Sequence, residues 1–373
     1  MLRPHMSLVT PFLNPQLASL PVYVPGRPIE EVAREHGLDP TQVIKLASNE
    51  NPLGPSPKAL AAMQLALKNL HLYPDGNAFY FKRRLAEVLE VSTGQLVLGN
   101  GSNEILELVA HVFMDADSEV VVSEHCFAVY PIVTALFGAR LVTVPAKDFA
   151  ADIPAMIQAV TSKTRVLFLA NPNNPTGSLV PRDQIARLLA EVPSNVLIVM
   201  DEAYVEFLDD PVDLLPLVRE GTHPHILLVR TFSKVFGLAG LRLGYGIGSP
   251  TIAGALEKVR QPFNINAIAQ AGALAAIDDN EHLAATRANN RLGLEYFERA
   301  FTQMGLRFVK SWGNFVLVQV GDGARVSGEL QKNGVIVRPM GGYRLPEWIR
   351  ISVGKPEENA RCVATLRTIL GKI

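Results

Sequence analysis

Between about residue 58 and the middle of the chain, apolar segments of strand length alternate with longer segments whose apolar residues recur at helical spacing. The strand candidates are residues 95–98, 119–122, 140–144, 164–170, 196–200, 226–230 and 244–248. Segments between them, such as 104–113 and 182–191, have the helical pattern. Continuous apolar strands separated by helices are typical of a parallel-rich sheet that is covered on both faces. The pattern therefore predicts an α/β fold, in which ligands bind beyond the carboxyl ends of the strands.

The two ends of the chain differ from this middle part. The first fifty residues are rich in proline, which favours an extended arm, and a short helix is predicted at 29–36. Near the other end, one long helix is predicted over about 266–304, followed by short strands and a final helix. These strands are predicted near 315–320, 335–338 and 348–353. We therefore predict an arm over 1–50 that partly joins the small domain, a large domain over 51–265 and a small α+β domain over 266–373.

Charge and composition restrict the class of partner. The formal net charge is −1, so nothing global favours nucleic acid or an anionic membrane, and an anionic ligand must be held by a few local positive groups. No apolar run reaches the ~20 residues that span a bilayer, and the N-terminal residues do not predict a signal peptide. Cys126 and Cys362 lack metal-ligand spacing, which predicts two reduced structural cysteines and no metal site. We expect a cytoplasmic protein.

Two motifs at the ends of predicted strands contain neutral polar residues. Residues 99–104, Gly-Asn-Gly-Ser-Asn-Glu, follow a strand and open an amphipathic helix, where free N–H groups can bind an anion. A turn with an Asn or Ser cap explains the same residues. Residues 171–177, Asn-Pro-Asn-Asn-Pro-Thr-Gly, predict a rigid turn. Asn174 in this turn is a candidate donor to a ligand oxygen, although the turn alone also accounts for the motif.

Two further motifs at strand ends contain charged residues. Asp201 ends the most apolar predicted strand, where a carboxylate is either exposed at the sheet edge or buried and paired. A buried carboxylate there requires a cationic partner such as a protonated pyridine nitrogen. Tyr204 is near enough to hydrogen-bond the same ligand. Lys234 lies among small, hydroxyl and apolar residues, a setting that lowers the pKa of an amine and makes it a nucleophile. A solitary loop lysine is more often a solvated charge. Arg242, eight residues further on, can hold a phosphate together with nearby hydroxyls.

Phosphate-binding groups, an oxygen donor, a carboxylate and a lysine occur in one order, each at the C-terminal end of a predicted strand. In this arrangement the chain resembles the fold type I aminotransferases over nearly its whole length. The resemblance implies dependence on pyridoxal 5′-phosphate (PLP). It also implies a large domain with a mostly parallel seven-stranded sheet between helices, and a smaller α+β domain.

The resemblance assigns a role to each matching residue. Lys234 would bind the cofactor as a Schiff base and later move a proton, and Asp201 would pair with the pyridinium nitrogen, which keeps the ring an electron sink. Asn174 and Tyr204 would contact the phenolic oxygen of the ring, and Phe127 would stack on the ring. The residues implied to hold the cofactor phosphate are Gly101, Ser102, Asn103, Thr231, Ser233 and Arg242.

Within that fold, the chain is most similar to the histidinol-phosphate aminotransferases. The likeness is carried by residues 24–31, 45–57, 73–76, 259–266, 335–339 and 348–354. It implies a homodimer in which Tyr73 contacts the cofactor phosphate of the neighbouring subunit. Arg350 would clamp the substrate α-carboxylate, Arg338 would lie near the distal end of the substrate, and Asn51 is a further substrate-binding candidate. A surface ion pair is the competing interpretation for either arginine.

The implied reaction converts histidinol phosphate and 2-oxoglutarate to imidazole acetol phosphate and glutamate. Some relatives have tyrosine where this chain has Asn51, Phe127 and Phe263, and the missing hydroxyls make the distal pocket more apolar. An aromatic amino-acid aminotransferase is therefore an alternative. PLP-dependent decarboxylases of the same fold, which share the lysine and the aspartate, are a second. A PLP-sensing regulator or catalytically silent binding protein is a third, but the arm is too short and proline-rich for a helix-turn-helix.

Overall fold

The computed structural model describes residues 16, 20 and 25–371. Its strands are β1 (Ile44–Lys45), β2 (Leu96–Asn100), β3 (Glu119–Ser123), β4 (Arg140–Val144), β5 (Thr164–Ala170), β6 (Leu197–Asp201), β7 (Ile226–Thr231), β8 (Leu243–Gly248), β9 (Phe308–Val309), β10 (Phe315–Gln319), β11 (Val335–Ile336), β12 (Arg338–Pro339) and β13 (Trp348–Ser352). The α-helices are α1 (Ile29–His36), α2 (Pro57–Ala66), α3 (Phe79–Leu89), α4 (Ser102–Phe113), α5 (Val129–Leu136), α6 (Ile153–Gln158), α7 (Arg182–Glu191), α8 (Leu215–Arg219), α9 (Pro250–Val259), α10 (Ala267–Ala276), α11 (Asn280–Gln303), α12 (Gly323–Lys332) and α13 (Pro356–Ile369).

The largest sheet has seven strands in the order β2-β8-β7-β6-β5-β3-β4. Strand β8 runs antiparallel to both of its neighbours, and the other adjacent pairs are parallel. This confirms the predicted α/β fold with a mostly parallel seven-stranded sheet. The predicted strands coincide with β2 to β8 to within two residues at each end.

The central strands are apolar throughout because both faces of the sheet are covered. In β5, Val166 and Phe168 point into one core cluster, whereas Leu167 and Leu169 point into a second cluster on the opposite face. Successive side chains of a strand alternate between faces, so a strand that is buried on both sides contains no polar face. Burial on both faces therefore explains why these segments of the sequence are continuously apolar.

The C-terminal part of the chain forms a four-stranded sheet in the order β12-β13-β10-β9, in which neighbouring strands are antiparallel. Phe297 and Phe301 of α11 pack on this sheet against Val316 and Ile349. Strand β1 pairs in parallel with β11, which attaches the segment after α1 to the C-terminal part. The domain limits at residues 50 and 265 stay predictions.

The structure corrects two predicted elements. The single helix over 266–304 is wrong, because α10 and α11 are separate helices with a break at 277–279. Asp279 there is nonhelical and buried, and its carboxylate pairs with Lys58 Nζ at 3.3 Å, so the break lets α10 pack beside α2. The predicted strand at 335–338 is two short strands that join different sheets.

The predicted helix at 29–36 is confirmed as α1. The predicted extended arm before residue 25 lies outside the described residues, apart from residues 16 and 20. In the part of the chain that the structure describes, no helix is both long and apolar enough to cross a membrane.

The topology brings four strand ends to one edge of the large sheet. Strands β5, β6 and β7 are parallel, so their carboxyl ends lie together. Strand β2 joins them, because two successive antiparallel steps through β8 return it to the direction of β7. The loops that follow these four strands contain the four motifs of the sequence analysis, and they meet at this edge.

Candidate active site

The loops at this edge surround a cavity of about 190 Å³. It contains most of the predicted site residues, namely Ser102, Asn103, Phe127, Asn174, Asp201, Tyr204, Thr231, Ser233, Lys234, Arg242, Arg338 and Arg350. The segment after β1 contributes Ala47, Ser48 and Asn49, and the C-terminal part contributes Tyr343. The cavity is thus built from the large sheet, the segment that follows β1 and the C-terminal part.

Lys234 places its amine in the wall of the cavity. Its Nζ donates to the backbone carbonyls of Ser48 and Asn49, both at 3.3 Å, and lies 5.7 Å from the centroid of the Tyr204 ring. Burial and then the positive charge of Arg350 lower the pKa of Lys234 to about 8. A substantial fraction of this amine is therefore neutral near neutral pH, which is the form that attacks a carbonyl carbon.

Asp201 ends β6 with its carboxylate buried at the floor of the cavity. Its Oδ2 accepts a hydrogen bond from the Tyr130 hydroxyl at 2.7 Å, and its Oδ1 accepts from the Ala203 N–H at 3.1 Å. Burial raises the pKa of Asp201, and these two hydrogen bonds oppose that rise. A carboxylate held in this way is a favourable site for a cationic ligand group.

Arg350 of β13 lies across the cavity from the large sheet and is almost fully buried. Its Nη2 donates to the Ala47 carbonyl at 2.8 Å, and its Nη1 donates to Asn174 Oδ1. Because the Asn174 oxygen accepts this bond, its Nδ2 donor is directed away from the guanidinium. A direct hydrogen bond therefore joins Asn174, the predicted donor to a ligand oxygen, to Arg350, the predicted clamp for the substrate carboxylate.

The start of α4 and the loop after β7 form an anion cradle. Gly101 precedes α4 with a φ of +77°, and a Cβ on this residue would lie 2.3 Å from Arg242 Nη2. The Arg242 guanidinium donates to Ser233 Oγ at 3.2 Å, and the Ser233 N–H donates to Thr231 Oγ1 at 3.1 Å. Helix N–H groups, a guanidinium and two hydroxyls thus converge, which suits a phosphate.

Of the predicted site residues, Gly101, Asn51 and Tyr73 lie outside the cavity lining, and the side chains of the last two point to other contacts. Asn51 donates from Nδ2 to the Val235 carbonyl and to Thr286 Oγ1, at 2.9 and 3.1 Å, so its amide braces neighbouring segments of the chain. Tyr73 is 83% exposed and stacks on Phe263, with ring centroids 4.8 Å apart. Within one chain, neither side chain reaches the cavity.

Comparison with known proteins identifies the family. The model of the aminotransferase class I and II family matches residues 41–366. The chain belongs to the class I and II aminotransferases. This aminotransferase is 49% identical over 360 residues to the histidinol-phosphate aminotransferase of Akkermansia muciniphila, and the match covers 96% of this chain and 99% of that protein.

Two further relatives support the same family. Histidinol-phosphate aminotransferase 2 of Pseudomonas fluorescens is 48% identical over 365 residues, which is 96% of this aminotransferase and 97% of that protein. Among solved structures, the histidinol-phosphate aminotransferase of Sinorhizobium meliloti in complex with pyridoxal-5'-phosphate has a TM-score of 0.87. It is 30% identical in sequence, and the match covers 96% of this chain and 97% of that chain.

The structure adds site residues that the sequence analysis did not single out. Tyr130 lies three residues after Phe127, and its ring stacks on Phe168 with centroids 4.6 Å apart. Asn49 donates from Nδ2 to the Tyr204 hydroxyl at 2.9 Å. Asn49 lies inside a segment that carries the family resemblance, so the motif pointed to its neighbourhood. Tyr130 had no comparable signal, because its role depends on a contact with a distant strand.

Proposed function

We propose that this aminotransferase binds PLP and transfers the amino group of histidinol phosphate to 2-oxoglutarate. The observation that carries the proposal is the cavity itself. A buried amine with a lowered pKa and a buried carboxylate line it, with the anion cradle of Arg242 and the guanidinium of Arg350 in its wall. The names of the relatives, which are about half identical to this chain over nearly its full length, support the same substrate.

The described residues fit PLP group by group. The cradle at Gly101 and Arg242 suits the phosphate, since a Cβ at Gly101 would occupy the position of the guanidinium. Asp201 suits a protonated ring nitrogen, and Tyr204 and Asn174 suit the ring oxygen. When bound, PLP supplies an aldehyde that captures amino groups and a protonated ring that stabilises negative charge on the substrate carbon.

The residues of this chain have three tasks in the proposed reaction. The Lys234 amine, held near the Ser48 and Asn49 carbonyls, takes the proton from the substrate carbon and returns it to a different carbon. Asp201 stays ionised opposite its cationic partner because Tyr130 and the Ala203 N–H stabilise the carboxylate. The buried setting of both groups excludes water from the site of proton transfer.

Arginine side chains suit both substrates of the proposed reaction. Histidinol phosphate has a phosphate ester and no carboxylate, whereas 2-oxoglutarate has two carboxylates. A guanidinium binds either anion through paired N–H donors. We assign Arg350 to the anionic group next to the reacting carbon and Arg338 to the distal end. The hydrogen bonds from Arg350 to Asn174 and Ala47 orient it before either substrate arrives.

A substrate panel with the PLP-loaded protein tests this proposal. With 2-oxoglutarate as acceptor, we expect kcat/KM for histidinol phosphate to exceed that for phenylalanine or tyrosine about a hundredfold. Its phosphate ester has three anionic oxygens and nearly two negative charges, so it accepts more charge-assisted hydrogen bonds from this region than the single carboxylate of those amino acids. A phosphate-free substrate that wins by orders of magnitude would overturn the substrate but leave the aminotransferase chemistry. Release of carbon dioxide from phenylalanine or tyrosine, in place of a keto product, would favour a decarboxylase.

The role of Lys234 is tested separately. Borohydride reduction followed by peptide mass spectrometry should locate PLP on Lys234. The Lys234→Ala variant should lose turnover, because the proposed reaction depends on the Lys234 amine to move the proton. Steady transamination by that variant would contradict the assignment.

We further propose that the working unit is a homodimer. Helices α2 and α3 and the segment between them expose many large apolar side chains, and extensive exposed apolar surface is typical of protein–protein interfaces. They are Leu60, Leu65, Leu67, Leu70, Leu72, Tyr73, Phe79 and Tyr80. A second copy of the chain would cover this surface, with Tyr73 contacting the cofactor phosphate of the neighbouring subunit. We place the enzyme in the cytosol, where Cys126 and Cys362 stay free thiols.

Mixed dimers test the shared site. Chains with Lys234→Ala and chains with Tyr73→Ala should each have little activity alone. When the two are unfolded and refolded together, half of the dimers are mixed, and each mixed dimer has one site with both residues intact. Activity should therefore return to about a quarter of the wild-type value. Absence of recovery, with mixed dimers shown to form, would contradict a site completed by Tyr73.

A further inference from the structure

Asn49 is a buried side chain in the cavity wall that the proposed chemistry does not use. It is 1% exposed and has a φ of +53°. Residues other than glycine rarely adopt this left-handed conformation, although asparagine tolerates it better than most. Glycine would supply the backbone shape without strain, so the presence of asparagine points to its side chain.

The hydrogen bonds of Asn49 give its amide one orientation. Ser352 Oγ accepts from the Asn49 N–H at 2.8 Å and donates its single proton to Asn49 Oδ1 at 3.0 Å. The Nδ2 group is consequently turned to the Tyr204 hydroxyl, to which it donates at 2.9 Å. Asn314 Nδ2 donates to the Asn49 carbonyl at 3.0 Å, which anchors the backbone as well.

This orientation decides what the Tyr204 hydroxyl can do. A phenol has one proton to donate, and an amide Nδ2 can only donate to it. Because Asn49 supplies a donor, Tyr204 accepts on that side, and its own proton is directed elsewhere, into the cavity. Burial raises the pKa of Tyr204 to about 12, so the hydroxyl keeps this proton across the neutral range.

We infer that Asn49 is a positioning residue: held by Ser352, it donates to the Tyr204 hydroxyl and thereby makes Tyr204 a hydrogen-bond donor to the cofactor oxygen. This inference rests on the proposed function, because it assigns that oxygen to bound PLP. Asn49 acts through Tyr204 and is not itself a catalytic residue.

The same contact links the cofactor side of the cavity to the substrate side. Ser352 and Arg350 are two residues apart on β13, so their side chains project from the same face of the strand. The hydrogen bonds from Ser352 through Asn49 to Tyr204 therefore connect the strand that carries the substrate-binding guanidinium to the residue that contacts the ring. A shift of β13 would be transmitted to the donor geometry of Tyr204.

Two variants remove this contact in different ways. Asn49→Gly keeps the positive φ and the carbonyl that accepts from Lys234, and it deletes only the amide. Ser352→Ala deletes the hydroxyl that orients the amide, and with it the acceptor of the Asn49 N–H. Ser118→Ala is the matched control, because Ser118 Oγ is also buried and also accepts one N–H and donates to one oxygen, both within residues 115–118 and outside the cavity.

The first readout is the pH midpoint of the absorbance change of bound PLP. Donation from Tyr204 stabilises the anionic form of the ring oxygen, so its loss should raise the midpoint by about 1 pH unit in Asn49→Gly, with about tenfold weaker PLP binding. Ser352→Ala should shift both in the same direction by less, and Ser118→Ala should shift neither. The charged and titratable groups that face Tyr204 are unchanged in all three variants; they are Arg350, Asp201, Lys234, Tyr130 and Tyr343.

The Tyr204→Phe background separates positioning from packing. There the effect of Asn49→Gly on the midpoint should disappear, because the hydroxyl through which Asn49 acts is absent. A shift that persists in this background would overturn the inference. So would an Asn49→Gly protein that unfolds at a lower temperature but keeps the midpoint and the PLP affinity of the wild type. If Asn49→Gly does not fold, an unchanged midpoint in Ser352→Ala overturns it. A wild-type protein that binds no PLP would instead refute the proposed function.

Discussion

The most consequential single residue is Lys234, because its amine combines burial with a position beside positive charge. Burial is the larger cause of its lowered pKa of about 8, and Arg350 is the second. The negative charges of Glu50 and Asp201 oppose the shift without cancelling it. Neutral pH therefore leaves a usable fraction of this amine unprotonated, whereas an ordinary lysine is almost fully protonated.

This environment predicts the pH dependence of Lys234 modification. In the cofactor-free protein, the rate of acylation of Lys234 should rise with pH through a midpoint near 8, because only the neutral amine reacts. Peptide mass spectrometry after short exposure to acetic anhydride measures this rate site by site, with the exposed lysines as internal references. A midpoint for Lys234 close to the ordinary lysine pKa of about 10.4 would contradict the assigned environment.

At the scale of elements, the cradle depends on the close approach of α4 and β8. Gly101 and Gly244 make this approach possible, since a Cβ on Gly244 would lie 2.3 Å from the Ser102 nitrogen. The start of α4 can then present its backbone N–H groups beside Arg242. The start of α4 and the Arg242 guanidinium form one anion site only because Gly101 and Gly244 have no side chain that would separate them.

The Gly101→Ala variant tests this packing. The new methyl group would displace the Arg242 guanidinium and strain a residue with a φ of +77°, so we expect PLP to bind at least about tenfold more weakly. Equilibrium titration of the cofactor-free protein with PLP measures this. Gly254→Ala is the matched control: this helical glycine has no atom within 4 Å of its Cβ position, and alanine there should leave PLP affinity unchanged. Equal affinity of both variants for PLP would exclude the proposed cradle.

At the scale of the whole molecule, a second cluster of buried charged residues lies outside the cavity lining. Glu202, next to Asp201, pairs with Arg230 at 2.8 Å, and burial raises the pKa of Glu202. Glu206 lies four residues further along the chain. Burial raises the pKa of Glu206 to about 7, and the positive charge of Arg230 partly offsets this rise. Its Oε2 atom is buried without a hydrogen-bond partner among the described residues. Ionisation of Glu206 therefore costs free energy in the folded state.

This cost predicts a pH-dependent stability. Between the ordinary glutamate pKa of about 4.3 and about 7, the folded protein retains a proton that the unfolded chain has released, so the free energy of unfolding falls as pH rises through this window. Glu206→Gln removes the fall, because glutamine is neutral in both states. Urea unfolding at pH 5 and pH 8 should show the variant gaining stability relative to wild type, on the order of 2 kcal/mol, at the higher pH.

The control for this prediction is Glu281→Gln, which removes an exposed carboxylate from the start of α11. It should produce no comparable gain between the two pH values. A difference between Glu206→Gln and wild type that is the same at both pH values would show that Glu206 does not hold a proton in the folded state.

Local sequence was sufficient for the sheet and for most of the cavity. Strands buried on both faces must be apolar throughout, so β5 and β6 were recognisable without any tertiary contact. Ligands bind at the carboxyl ends of such strands, and therefore the residues that follow them, including Asp201 and Lys234, were predictable as neighbours. The break between α10 and α11 was not, because apolar spacing continues through it and the buried Asp279 has its partner on another helix.

Only the tertiary structure decided how the chemical groups are supported. The sequence by itself determined the fold class and the order of the motifs that we propose to bind the cofactor, because both depend on residues close together along the chain. The contacts of Asn49 with Ser352 and Tyr204, and of Tyr130 with Asp201, span 303, 155 and 71 residues. A hydrogen bond depends on the positions of two atoms within a few tenths of an ångström, and between residues so far apart only the folded chain sets those positions.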